Sequence, residues 1–206
     1  MNRDFWIQKW HEKDIRFHQE SYHPQLVKFS KNFSVGTILV PLCGKSLDMI
    51  YLVSLGHQLI GVELSEIACR EFFIENNLPF IERSIPGFKI LESENITIYC
   101  GDFFDLPLDV WKSITGIYDR AAIVALPEEI RKKYANEVVK KTPKGSGILL
   151  IAFDYPEGTL QGPPFSVPDR ELKKLFMGCE MQVIDTRKDA VRTTDVSENA
   201  YWIRIL

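Results

Sequence analysis

The run Gly36-Thr-Ile-Leu-Val-Pro-Leu-Cys-Gly-Lys-Ser46, with Glu63 downstream, constrains this chain more than any other stretch. Thr37 to Val40 is apolar and β-branched, as a buried strand should be, and it ends at Pro41. A tight turn through Cys43-Gly44 follows, then a helix-like segment from Ser46 to Leu55 that Gly56-His57 closes. A second apolar run, Gln58 to Val62, leads directly into Glu63. The pattern is a β-turn-α-β unit with a glycine at the turn and a carboxylate at the tip of the next strand. In open α/β sheets that arrangement holds an adenosine-type ligand. The glycine lets the backbone approach, and the acid accepts hydrogen bonds from the ribose hydroxyls.

Three nucleotide chemistries compete for the Gly44 turn. A Walker A loop needs a glycine five residues before Gly44. Lys45 and Ser46 fit it, but Leu39 stands at that position, so phosphoryl transfer is disfavoured. A dinucleotide fingerprint needs G-x-G-x-x-G. Pro41 and Leu42 supply neither the amides nor the space for a pyrophosphate. A phosphate-free adenosine ligand asks only for a close turn, an apolar wall and a ribose acceptor. Gly44, Leu42 and Glu63 provide them, and S-adenosylmethionine is the common ligand of that kind.

Around this unit the chain alternates strand and helix. Trp6 and Trp10 are four residues apart and share one helix face; they either cover the core or form a lid for a flat ligand. Residues 22–33 read as a second amphipathic helix. Ser65 caps a helix that runs to about Asn77. Residues 80–94 are mixed, with a turn at Pro86-Gly87. Ile96 to Cys100 is a strand ending in Gly101-Asp102, where the acid is either a turn aspartate or a partner for an exocyclic amine. Thr115 to Tyr118 is a strand closing on Asp119-Arg120. Pro127-Glu-Glu opens a helix to about Lys141, with acids at its start and lysines at its end. Ile148 to Phe153 is a central strand, followed by a turn-rich loop ending Gly162-Pro-Pro164. Ser166 and Asp169 resemble a capped helix start. Met181 to Asp185 and Ala200 to Ile205 follow one another as strands, which predicts a terminal antiparallel hairpin. Alternation of this kind predicts a doubly wound, mainly parallel α/β sheet with helices on both faces. The hairpin distinguishes the methyltransferase version of it from the dehydrogenases.

The 206 residues suit a single domain, with residues 1–34 as a helical cover and 35–206 as the α/β core. The net charge of -3 gives no basic excess for nucleic acid, and Arg131, Lys132, Lys133, Lys140 and Lys141 read as a solvated helix face. No apolar run approaches the ~18 residues of a membrane span. Cys43, Cys69, Cys100 and Cys179 show no C-x-x-C spacing, and the histidines show no ligand pattern, so neither zinc nor a redox pair is expected. Reduced thiols, a cytoplasmic location and a monomer are the expectations.

Six blocks together resemble the thiopurine S-methyltransferase family. They are Phe5-Trp-x-x-x-Trp10, Phe17-His-Gln-Glu20, Val40 to Ser46, Gly61-Val-Glu-Leu-Ser-Glu66, Tyr118-Asp-Arg-Ala121 and Gly162-Pro-Pro-Phe-Ser-Val-Pro168. They stand in the family's order over residues ~5–176; the part from Cys179 matches less clearly. The resemblance implies a class I, Rossmann-like, seven-stranded methyltransferase fold with an N-terminal helical lid. It implies S-adenosylmethionine as cofactor, S-adenosylhomocysteine as product and an aromatic or heterocyclic thiol as acceptor. Carried over by motif, Trp10, Leu42, Glu63, Asp102, Phe103 and Arg120 contact the cofactor, with Gly44 at the turn. Phe17, Arg120 and Pro163 belong to the acceptor side, and Arg120 is the candidate catalytic residue. Arg187 or Arg192 could occupy the place of a further family arginine; the segment does not align well enough to choose. Two alternatives stay open. One keeps the cofactor and changes the acceptor to a halide, sulfide, or a selenium or tellurium species. The other is a non-catalytic protein that binds an adenosine ligand.

Overall fold

The computed structural model describes residues 3–191 and 193–206, so Arg192 lies outside the described residues. Internal contacts divide the chain into two compact units, residues 2–115 and 116–206.

The first unit opens with helix α1, Arg3–His11, and helix α2, Pro24–Phe29, which a single 3-10 turn at Ser30–Asn32 extends. Pro24 stands at the start of α2, where its missing amide is harmless. Strand β1 is Thr37–Pro41, helix α3 Asp48–Ser54, strand β2 Gln58–Glu63 and helix α4 Glu66–Glu75. The side chain of Ser65 caps α4 by accepting from the Ala68 amide at 3.3 Å, a bond worth about 1 kcal/mol. Residues 81–92 form a hairpin of β3, Ile81–Ile85, and β4, Phe88–Glu92. Strand β5, Ile96–Cys100, and the short helix α5, Leu108–Ser113, complete the unit. Its strands lie in the order β3-β4-β5-β2-β1, with β1, β2 and β5 parallel and the hairpin antiparallel at the edge. Parallel strands buried on both faces read as apolar runs, and Ile38, Leu39, Val40, Val62 and Ile98 are at most 2% exposed.

The second unit contains β6, Gly116–Arg120; α6, Glu128–Lys141; β7, Gly147–Asp154; α7, Asp169–Leu175; β8, Glu180–Val191; and β9, Thr194–Arg204. The order is β6-β7-β9-β8, with β6 parallel to β7 and the last two strands antiparallel. The terminal hairpin is therefore present, and its strands are longer than the two short apolar runs suggest. The extra length, in which Thr186 to Val191 pairs with Asn199 to Thr194, is mostly polar, as an edge ribbon allows. The seven expected strands are β1, β2 and β5 to β9. The hairpin at 81–92 adds two, and its outer strand alternates too weakly to declare itself, since Ile81 to Ser84 are all exposed.

Two local expectations are corrected. Ser166 does not cap α7, whose N-cap is Pro168; its hydroxyl instead donates to the Tyr155 carbonyl at 2.9 Å and accepts from the Tyr155 amide at 3.0 Å. Arg131 is not part of a solvated face. It is buried on α6 and pairs with Glu171 at 3.1 Å.

Candidate active site

In the first unit the carboxyl ends of β1, β2 and β5 carry the residues singled out in the sequence. Leu42 leaves β1 with φ +49, a left-handed conformation that costs a non-glycine residue about 1–2 kcal/mol. The strain aims the next amides across the strand ends. The Cys43 amide donates to the Val62 carbonyl at 3.0 Å, and the Gly44 amide donates to Glu63 Oε2 at 2.9 Å. The other carboxylate oxygen, Oε1, accepts from the Ser65 amide at 2.8 Å. A carboxylate has about four acceptor sites, so capacity beyond these amides remains for ribose hydroxyls. Burial raises the Glu63 carboxyl above its ordinary pKa, and the amides of Ser65, Gly44 and Leu64 pull it back toward the charged form.

The two sequence blocks of this cradle fit into one another. Cys43 packs over Gly61, where an added Cβ would lie 2.8 Å from its sulfur, so a side chain at Gly61 would lift the turn. Burial, with the Glu63 charge nearby, holds the Cys43 thiol well above its usual range. It is a small packing residue and not a nucleophile. Gly44, at φ +52, is covered by Trp10: a Cβ there would meet the indole at 3.0 Å. Trp10 is buried and stands edge-to-face with Phe17, which in turn meets Trp6. The N-terminal aromatics are thus a roof over the turn.

Lys45 decides the phosphate question. Its ammonium is buried between Glu71 at 2.8 Å and Glu75 at 2.6 Å, one helical turn apart on α4. Burial alone would lower this ammonium; the two carboxylates outweigh it and raise its pKa. A lysine so occupied ties the turn to α4 and offers no charge to a phosphate. The cradle suits a nucleoside with no phosphate, as the sulfonium nucleoside requires.

Asp102 follows β5 and caps the 3-10 turn Phe103–Asp105 by accepting from the Phe104 amide at 3.0 Å. Its second oxygen lies 3.9 Å from Arg3. The turn role is therefore real, and it leaves the carboxylate partly exposed beside the strand end. The Phe103 ring is buried against Trp111, 5.4 Å between centroids, so this residue can offer a ligand its backbone more readily than its ring. Gly101 is required by the extra hairpin, because a Cβ there would strike the Gly87 carbonyl oxygen and the Phe88 ring, both at 2.5 Å.

The second unit holds Arg120 and Pro163. Arg120 is the last residue of β6 and half-buried; the next residue, Ala121, has φ +65. Asp119 accepts from the Tyr134 hydroxyl at 2.6 Å and the Ile123 amide at 3.0 Å, and Glu128 pairs with Lys132 at 2.8 Å. Burial pushes the Asp119 carboxyl up to about 6 against the pull of those bonds. Pro163 sits in a loop fixed at several points. The Phe165 amide donates to the Val124 carbonyl at 2.6 Å, the Tyr155 hydroxyl to the Pro164 carbonyl at 2.6 Å, and Arg131 to the Ser166 carbonyl at 3.0 Å. Arg187 pairs with the buried Glu198 at 3.1 Å and lies 3.6 Å from Asp189.

Sequence reasoning missed the roles of Lys45, Asp119, Tyr134 and Arg131. Each depends on a partner from another element that spacing does not reveal.

A mixed, mostly parallel sheet with a terminal antiparallel hairpin, and an acid and a glycine at adjacent strand ends, defines a class I S-adenosylmethionine-dependent methyltransferase. Solved structures agree on the fold. A 1,6-didemethyltoxoflavin-N1-methyltransferase from Burkholderia thailandensis, with S-adenosylhomocysteine bound, superposes with a TM-score of 0.69 at 12% identity, covering 99% of this chain and 87% of that one. The family model of thiopurine S-methyltransferase matches residues 1–202, and the chain belongs to that family. It is 44% identical to the thiopurine S-methyltransferase of Bordetella pertussis over 192 residues, covering 91% of this chain and 87% of the relative. The corresponding protein of Shewanella baltica is 42% identical over 170 residues, covering 81% and 78%.

Proposed function

We propose that this methyltransferase acts on the sulfur of aromatic or heterocyclic thiols of the thiopurine kind. The observation that carries the proposal is the interlocked cradle of Gly44, Glu63 and Trp10 in a chain of this family. Glu63 would hold the ribose hydroxyls, Gly44 and Leu42 the close backbone approach, and Trp10 the cover. Asp102 and Phe103 would meet the remainder of the nucleoside. The bound sulfonium supplies an activated methyl group. The protein's task is then to set the acceptor sulfur in line behind that methyl, about 3–3.5 Å away, and to exclude water.

Arg120 is the catalytic candidate. A guanidinium beside the sulfur favours the thiolate, and its planar fork can orient ring nitrogens. A heteroaromatic thiol ionises readily, so no strong base is required. Phe17 and Pro163 would supply apolar walls for a flat acceptor. We further propose one catalytic domain, acting as a cytoplasmic monomer without nucleic-acid or membrane partners. Among the described residues no helix is long and apolar enough to cross a membrane, and no cluster of His, Cys, Asp and Glu could hold a metal ion.

The test is a methyl-transfer assay with S-adenosylmethionine across thiopurines, aryl thiols, halide, sulfide and selenite. Highest kcat/KM on the heteroaromatic thiols is expected, with a fall of 10- to 100-fold in Arg120→Met. Preference for halide or selenite would replace the acceptor assignment. Cofactor binding with no turnover on any acceptor would make the chain a binding protein.

A further inference from the structure

We propose that Asp119 is the positioning residue of the acceptor side, fixing through one buried carboxylate the turn that presents Arg120 and anchors the Pro163 loop. The inference rests on the assignment of Arg120 as an acceptor-facing group.

Asp119 immediately precedes Arg120 on β6, and successive side chains of a strand leave by opposite faces. Asp119 therefore cannot share the surroundings of Arg120. It is 1% exposed, and two of its hydrogen bonds lead away from the strand. One oxygen accepts from the Ile123 amide at 3.0 Å, which closes a small ring around Ala121 in its left-handed conformation at φ +65. The other accepts from the hydroxyl of Tyr134, itself fully buried on α6, at 2.6 Å. A strained non-glycine turn persists only where its surroundings over-determine it, and this carboxylate is the group that spans it.

The same turn reaches the loop. Ile123–Ala125 is a single 3-10 turn, and the Val124 carbonyl accepts from the Phe165 amide at 2.6 Å. Phe165 follows Gly162-Pro163-Pro164 directly. One connected set of bonds, Tyr134 to Asp119 to Ile123 and Val124 to Phe165, thus links the strand end bearing Arg120 with the loop bearing Pro163. Nothing in it includes the cofactor cradle of the first unit. Asp119 is also no general base for the acceptor, because its carboxylate is buried, at 1% exposure, and leaves the strand on the face opposite Arg120.

The experiment compares Asp119→Ala, Asp119→Asn and Tyr134→Phe at a temperature where circular dichroism shows each variant folded. The probe acceptor is an aryl thiol with saturating S-adenosylmethionine. Asp119→Ala is expected to lower kcat/KM for the thiol 30- to 100-fold and to leave the Kd of S-adenosylhomocysteine within twofold. Asparagine keeps an acceptor for the Ile123 amide, so it should recover most of the loss. Tyr134→Phe should cost 3- to 10-fold. A purely structural role would lower the melting temperature and leave the kinetics of the folded fraction unchanged; that result overturns the inference. If Arg120→Met is also silent, the assignment of Arg120 has failed. If Arg120→Met is deleterious while both Asp119 variants keep wild-type kinetics, only the positioning role has failed. Hydrogen exchange decides the matter should no acceptor turn over or should Asp119→Ala not fold. Asp119→Asn or Tyr134→Phe must then speed exchange in both 121–125 and 164–167, and acceleration confined to the first segment overturns the link to the loop.

Discussion

The two units solve the same problem with different materials. In residues 3–115 the strand ends proposed to face the cofactor are set largely by main-chain donors. Gly44 and Ser65 give their amides to Glu63, Cys43 gives its amide to Val62, and a glycine at 61 lets the turn sit down on β2. In residues 116–206 the corresponding strand end is held by side chains that reach across the sequence: Asp119 to Tyr134, Arg131 to Ser166 and Glu171, Tyr155 to Pro164. Main-chain geometry suits a cofactor that never changes. Side-chain networks can be re-tuned by single substitutions, as acceptor choice demands.

This contrast makes measurable demands. The largest effect belongs to Glu63→Ala. In the proposed site it would remove two charge-assisted hydrogen bonds to the ribose, each worth roughly 1.5–3 kcal/mol, so the affinity for S-adenosylhomocysteine should fall by about two orders of magnitude or more by calorimetry. A Kd within threefold of wild type would remove the acid from the cofactor site. Thermal unfolding should also come earlier, since the buried Gly44 and Ser65 amides lose their acceptor.

Next in size is a pH effect confined to the second unit. The Asp119 carboxyl rises from 3.8 to about 6 on folding, because burial outweighs its hydrogen bonds. The folded state therefore binds this proton more tightly than the unfolded state. The contribution to stability is fully present below about pH 4 and is lost as the pH rises through about 6. A difference of about two in pKa corresponds to roughly 3 kcal/mol. Urea unfolding of Asp119→Asn against wild type should show the stability difference shifting in favour of asparagine between pH 4 and 6.5. A difference independent of pH would mean that Asp119 titrates normally.

The smallest expected effect separates backbone cost from contact. Gly44→Ala meets both a φ of +52 and the Trp10 ring at 3.0 Å, whereas Gly158→Ala meets only its φ of +80, with open space around it. Each should lose about 1–2 kcal/mol from the backbone. Only Gly44→Ala should also weaken cofactor binding, and equal behaviour of the two would show that Trp10 moves aside freely.

Much of this molecule was legible in one dimension. Strand β1, the Gly44 turn and β2 with Glu63 at its tip follow from local hydrophobic pattern and turn chemistry, and they were placed within a residue or two. The α6 helix announced itself through Pro127-Glu-Glu and its terminal lysines. The hairpin at 81–92 did not, because Ile81 to Ser84 face solvent and carry no alternation to read. Arg131 read as one more surface cation, because charge clusters on helices are normally solvated; Glu171, forty residues on, draws it inside. Ser166 read as a helix cap because its spacing to Asp169 is right, but Tyr155 offered its hydroxyl both a donor and an acceptor.

The sequence by itself determined the class of ligand. Leu39 and Pro41-Leu42 disfavour phosphate-cradling loops, a turn glycine with an acid one strand later fits a phosphate-free adenosine, and the six family blocks make that reading specific. Those are local steric and hydrogen-bonding facts, carried by adjacent residues. Only the tertiary structure decided that Lys45 is consumed by Glu71 and Glu75, that Trp10 roofs Gly44, and that Asp119 spans the strained turn after Arg120. Burial joins residues far apart in the chain, and burial is what turns an ordinary charge into a fixed one.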